Sequence, residues 1–69
     1  MANFKFFLVG SPQIPVLDVE AGTLDELGED LARTRFLKAR MVELDGNPLA
    51  FDVLIPVGRI QMVADEREQ

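Results

Sequence analysis

A chain of 69 residues with no cysteine and no histidine must be held together by one hydrophobic core. Neither a disulfide nor a Cys/His zinc cluster can staple it. A chain this short buries only about 60% of the surface its unfolded form exposes. One domain is therefore all it can build, and its stability alone is marginal. Apolar residues make up 48% of the chain, the high end for a soluble domain. A small scaffold with that surplus is expected to close its apolar faces against a copy of itself or against a partner.

The missing residue types also restrict chemistry. Trp and Tyr are absent too, and the hydroxyl side chains are Ser11, Thr23 and Thr34. Most of the usual groups for nucleophilic catalysis, transition-metal binding and proton transfer near neutral pH are lacking. A non-enzymatic chain without cofactor or metal is expected. The net charge of −5 repels a nucleic-acid backbone at long range. The apolar run Phe6 to Val9 is too short for an export signal, and no run approaches transmembrane length. The expected location is the cytoplasm.

Residues 4–9 read FKFFLV. Phe4, Phe6 and Leu8 share one face, with Lys5, Phe7 and Val9 on the other. A strand apolar on both faces belongs inside a sheet or under a partner. Gly10, Ser11 and Pro12 supply a turn. In IPVLDVE (14–20), Leu17 and Val19 alternate with Asp18 and Glu20 as in a half-exposed strand. Pro15 cannot donate to a ladder and points to an edge position. Residues 3–20 thus read as a hairpin.

Thr23 and Glu26 form a capping box after Gly22. Leu24, Leu27 and Leu31 make one apolar helical stripe. Asp25, Glu26, Glu29 and Asp30 lie early in this helix, with Arg33 and Arg35 at its end, as the macrodipole favours. Glu29 and Arg33 are spaced for an i,i+4 pair. Gly28 costs about 1 kcal/mol relative to Ala, which close packing on the sheet would explain. The stripe fades after Leu31, so the helix ends near Thr34 or Arg35.

From Phe36 the period is two. Leu37, Ala39 and Met41 alternate with Lys38 and Arg40, then Val42 and Leu44 take over around Glu43. That phase slip predicts a β-bulge near Met41–Val42. Asp45-Gly46 signals a hairpin, with Asn47-Pro48 pointing to a loop longer than two residues. Leu49, Phe51, Val53 and Ile55 face one way and Asp52 the other. Pro56-Val57-Gly58 breaks the strand, and Ile60, Met62 and Ala64 form a last one. The expected fold is α+β: one small domain over residues 1–64 in the order ββαβββ. An antiparallel, strongly bent sheet shelters one amphipathic helix. Residues 65–69 (DEREQ) form a polar, frayed tail.

The first half, through residue 35, resembles the opening of a β-grasp (ubiquitin-like) domain in element order and in DVEAGTLDEL (18–27). Its last residues are not the diglycine of that family's carriers, so the resemblance implies the fold and not a carrier role. Residues 40–63 (RMVELDGNPLAFDVLIPVGRIQMV) resemble the terminal strands of small SH3-like or Sm-like barrels. There a long bent hairpin is followed by a short turn and a final strand. Each resemblance covers about half the chain.

Two residue sets are candidates for contact. Phe7, Val9, Val16 and Leu54 are apolar residues on second faces, and a contiguous patch of them favours a homo-oligomer, dimer or higher, or a protein partner. Arg33, Arg35, Lys38 and Arg40, with Arg59, form a local basic set that could grip phosphate. Dipole complementarity and a solvated sheet face explain these cations more simply. The acidic cluster Asp25, Glu26, Glu29 and Asp30 reads as a solvated helix N-terminus rather than a cation site. Phe4, Phe6 and Phe7 could stack nucleobases, but a core this small needs its large residues inside. The leading expectation is a self-associating protein-contact module. The alternative is a small barrel that binds nucleic acid through the basic set.

Overall fold

The Thr23 hydroxyl accepts the Glu26 N–H at 3.1 Å and donates to the Glu26 carboxylate at 3.4 Å, setting the start of the only α-helix among the described residues. The structure, a computed structural model, describes residues 2–65. Its elements are β1 (Ala2–Leu8), β2 (Val16–Val19), α1 (Leu24–Arg33), β3 (Phe36–Leu44), β4 (Asn47–Pro56), a 3₁₀ turn (Val57–Arg59) and β5 (Ile60–Ala64). The order ββαβββ is that expected. The expected tail lies outside the described residues apart from Asp65. Among the described residues no helix is long and apolar enough to cross a membrane.

The strands form one antiparallel sheet in the order β4-β3-β2-β1-β5. β1 is interior, as its two apolar faces require. β2 is interior as well, which corrects the edge position inferred from Pro15. That proline sits one residue before the strand, where no ladder donor is needed, and its carbonyl still accepts the Phe6 N–H at 3.0 Å. The edges are β4 and β5.

β4 and β5 are joined by the three residues of the 3₁₀ turn. In a flat sheet they would stand four strand spacings apart, about 19 Å. Four peptide units reach at most about 14 Å, so the sheet cannot be flat. The turn is fastened at both ends: Val57 donates to the Arg35 carbonyl (2.8 Å) and Arg59 accepts from Val9 (2.7 Å). β4 and β5 do not pair, so the sheet stays open. The long hairpin, short turn and final strand implied by the barrel resemblance are present; closure is not.

Phe4, Phe6, Leu17, Val19, Ala21, Leu27, Leu37, Ala39 and Ile55 form the core. Burying each of the larger ones is worth roughly 1.5–3 kcal/mol. From α1, Leu27 is buried and Leu31 packs against the core, but Leu24 is 42% exposed. Gly28 corrects another expectation. It is exposed, and a Cβ there would meet nothing within 4 Å, so it allows no close approach.

The bulge falls where the phase slip put it. β2 pairs Leu17 with Met41 and Val16 with Glu43, leaving Val42 as the extra residue. Against β4 the same shift leaves Leu49 and Ala50 opposite Val42. The β3–β4 turn has two residues, not more: Asp45 (φ 53°) and Gly46 (φ 81°) are both left-handed, as a type I′ turn demands. Pro48 fits within the ladder because it lies on an edge strand. A second irregularity, at Gln61, pairs Phe7 with Met62 but Leu8 with Ile60. Ile60 and Val63 thereby pack on the core while Met62 is exposed.

Candidate interaction surface

Directly opposite residues of an antiparallel pair share a face. On β3, Leu37 and Ala39 are buried while Phe36, Lys38 and Arg40 are exposed. Across on β4, Ile55 is buried, and Pro56, Leu54 and Asp52 stand opposite the three exposed residues. The outer face of this hairpin therefore carries an apolar corner, Phe36, Leu54 and Pro56, beside a charged row. In that row Arg40 lies between Asp18 on β2 and Asp52 on β4. Its Nε donates to Asp52 Oδ1 at 3.2 Å.

Two hollows follow this geometry. One, of about 400 Å³, is lined by Asp18, Val19, Glu20, Lys38, Ala39, Arg40 and Asp52. It sets three carboxylates against two cations, a mixture unsuited to gripping an anion. The other, of about 360 Å³, is bordered by Lys38, Asp52, Val53 and Leu54 and adjoins the first through Lys38 and Asp52. Among the described residues no polar or charged side chain is buried, and no three acidic residues are grouped to hold a metal ion.

The four apolar candidates do not form one patch. Leu54 is 64% exposed on the β4 edge. Phe7 is half-buried on β1 and pairs with Met62, while Val16 is half-buried between Lys5 and Glu43. Val9 is exposed just past β1. Between Leu54 and Phe7 run β3 and β2, whose outer faces carry Lys38, Arg40 and Asp18. Sequence reasoning missed Phe51 and Phe36. Phe51 follows the core-facing alternation of β4 yet is 58% exposed, because the core ends before it. The alternation alone held no signal of this; its place near the hairpin tip, five residues past Gly46, was the available hint.

The basic candidates are all exposed and dispersed. Arg33 contacts Asp30 at 3.7 Å, and its Nε donates to the Glu29 carbonyl at 3.3 Å. The expected Glu29–Arg33 pairing is thus through the Glu29 backbone, and Asp30 is the charged partner. Lys38 and Arg40 lie on the outer face of β3. Arg35 and Arg59 bracket the 3₁₀ turn through their carbonyls. Comparisons with protein-family models, with characterised proteins and with solved structures give no match.

Proposed function

We propose that this chain is a non-enzymatic interaction module that acts through protein–protein contact and self-associates. The observation that carries this reading is β4. It is a ten-residue edge strand bearing two large exposed apolar residues, Phe51 and Leu54. An open strand edge with apolar side chains is a template for pairing with another chain. Phe36 and Pro56 extend the apolar surface around Leu54 on the outer face.

Native mass spectrometry and sedimentation over a concentration series test the proposal. Multiples of 7.7 kDa are expected, and a Phe51→Ser, Leu54→Asp double variant should remain monomeric with unchanged circular dichroism. A wild-type chain that stays monomeric at high concentration would overturn the reading. The nucleic-acid alternative keeps one observation in its favour, that Arg33, Arg35, Lys38, Arg40 and Arg59 are all exposed. Arg33 and Arg40 each have an acidic neighbour, and the net charge of −5 opposes it. Its signature would be binding that weakens steeply with added salt.

A further inference from the structure

We propose that two copies join edge to edge through β4, antiparallel, about a two-fold axis at Val53, merging two five-stranded sheets into one. The inference rests on the self-association reading above and specifies its geometry. The backbone bonding pattern carries it. Val57 donates to the Arg35 carbonyl, and these two residues are one step beyond the last ladder pair, Phe36 and Pro56, in the same register. Hydrogen-bonded and non-hydrogen-bonded pairs alternate along an antiparallel ladder. Ile55, Val53 and Phe51 therefore direct their backbone groups at β3, while Asp52, Leu54 and Pro56 direct theirs at the open edge. Pro56 has no N–H to offer. Towards the hairpin tip the regular ladder ends at the bulge, Leu49 and Ala50 opposite Val42. On the regular stretch, complete N–H and C=O pairs face outward at two residues, Asp52 and Leu54. They are symmetric about Val53.

An edge built this way is complementary to itself. With Val53 opposite the partner's Val53, Asp52 exchanges both bonds with the partner's Leu54, and Leu54 with the partner's Asp52. On the inner face Val53 meets its own copy and the exposed Phe51 ring lies beside the partner's Ile55, aromatic against β-branched. On the outer face each Leu54 is covered by the partner's Asp52, whose charge is already met by its own Arg40 at 3.2 Å. Neighbouring registers are worse. One sets Asp52 against Asp52, like charges directly opposite. The one on the other side sets Leu54 against Leu54 but Asp52 against Pro56, which cannot donate. Such an isologous contact closes at two copies; joining β4 to β5 would be head-to-tail and would use the short, irregular β5.

The absence of cysteine makes the register readable by single-cysteine variants under mild oxidation. Opposite residues of a non-hydrogen-bonded pair are about 4.5 Å apart at Cα, inside the disulfide range. Val53→Cys should cross-link on the order of tenfold faster or more than Asp25→Cys on the helix, because pairing makes the reaction intramolecular. Asp52→Cys and Leu54→Cys, both at exposed positions, should cross-link with each other when mixed and slowly when alone. Fast self-linking of Asp52→Cys, or of Phe51→Cys in preference to Val53→Cys, would overturn the register. A wild-type dimer or larger assembly whose variants fail to link at these positions would overturn the β4 pairing yet leave self-association standing. A wild-type monomer at high concentration would overturn both.

Discussion

β1 and β4 are made of similar material and meet different fates. β1 reads ANFKFFL and β4 reads NPLAFDVLIP; both alternate large apolar residues with others. β1 lies between β2 and β5, so both its ladders are filled. Phe4 and Phe6 are fully buried, and even its outward Phe7 is half-covered. β4 has β3 alone as neighbour. Its Ile55 is buried, but Phe51 and Leu54 stand in solvent. Position in the sheet, not side-chain chemistry, makes this difference. Apolar residues that the fold does not bury remain available to a second chain.

Truncation at matched positions is the sharpest way to break the comparison. Phe6→Ala removes a fully buried ring and should cost about 3–5 kcal/mol. For a domain of this size that approaches the whole of its stability, so urea titration followed by circular dichroism should find it largely unfolded. Retained cooperative folding would mean that β1 is not the centre of the core. Ile55→Ala tests the same idea inside β4. It should cost about 2–3 kcal/mol, separating the end of β4 that belongs to the core from the middle that does not. Gly28→Ala tests whether the outer side of α1 is as open as the β4 edge. With no neighbour within 4 Å of the new Cβ, the change should stabilise the fold by about 1 kcal/mol. A loss on thermal melting would show that something covers that face.

Much of this architecture was legible in the residues, and the failures share a cause. The two-faced apolar pattern of residues 4–9 identified an interior strand. Thr23 and Glu26 identified the helix start, and the slip from Met41 to Val42 located the bulge. Each of these is a local pattern with a local cause. Pro15, Pro48 and Gly28 were misread because their meaning depends on neighbours. A proline is harmless just before a strand or on an edge strand, and glycine in a helix has no packing role where nothing approaches. The irregularity at Gln61 left no phase slip to read in so short a strand. At the contact surface Leu54 was identified, and Phe51 was missed. Alternation tells which face a side chain takes, not how far along the strand the core extends.

The small effects sharpen the comparison further. Phe51→Ala, measured on protein dilute enough to be monomeric, should change stability by about 0.5 kcal/mol, the range of ordinary surface substitutions. Set against Phe6→Ala, the same truncation in the same protein would then differ several-fold. A cost near that of Phe6→Ala would place Phe51 in the core and remove it from the contact surface.

Asp52→Asn is the smallest change and the finest probe of the edge. Asp52 and Arg40 are both well exposed and meet at 3.2 Å. An exposed pair of this kind is worth about 0–1 kcal/mol and is screened by salt. The monomer should therefore lose less than about 1 kcal/mol at low ionic strength, and almost nothing near 1 M salt, where the screening length falls to about 3 Å. Thermal melts of both forms at two salt concentrations make the measurement. If the loss is larger and persists in salt, Asp52 supports the monomer fold itself, through packing or backbone geometry that screening does not reach. The β4 edge would then be a structural margin of the domain, and its exposed residues would need no second chain to account for them. If the loss vanishes with salt, the carboxylate is a screened neighbour of Arg40 on an edge the monomer leaves open.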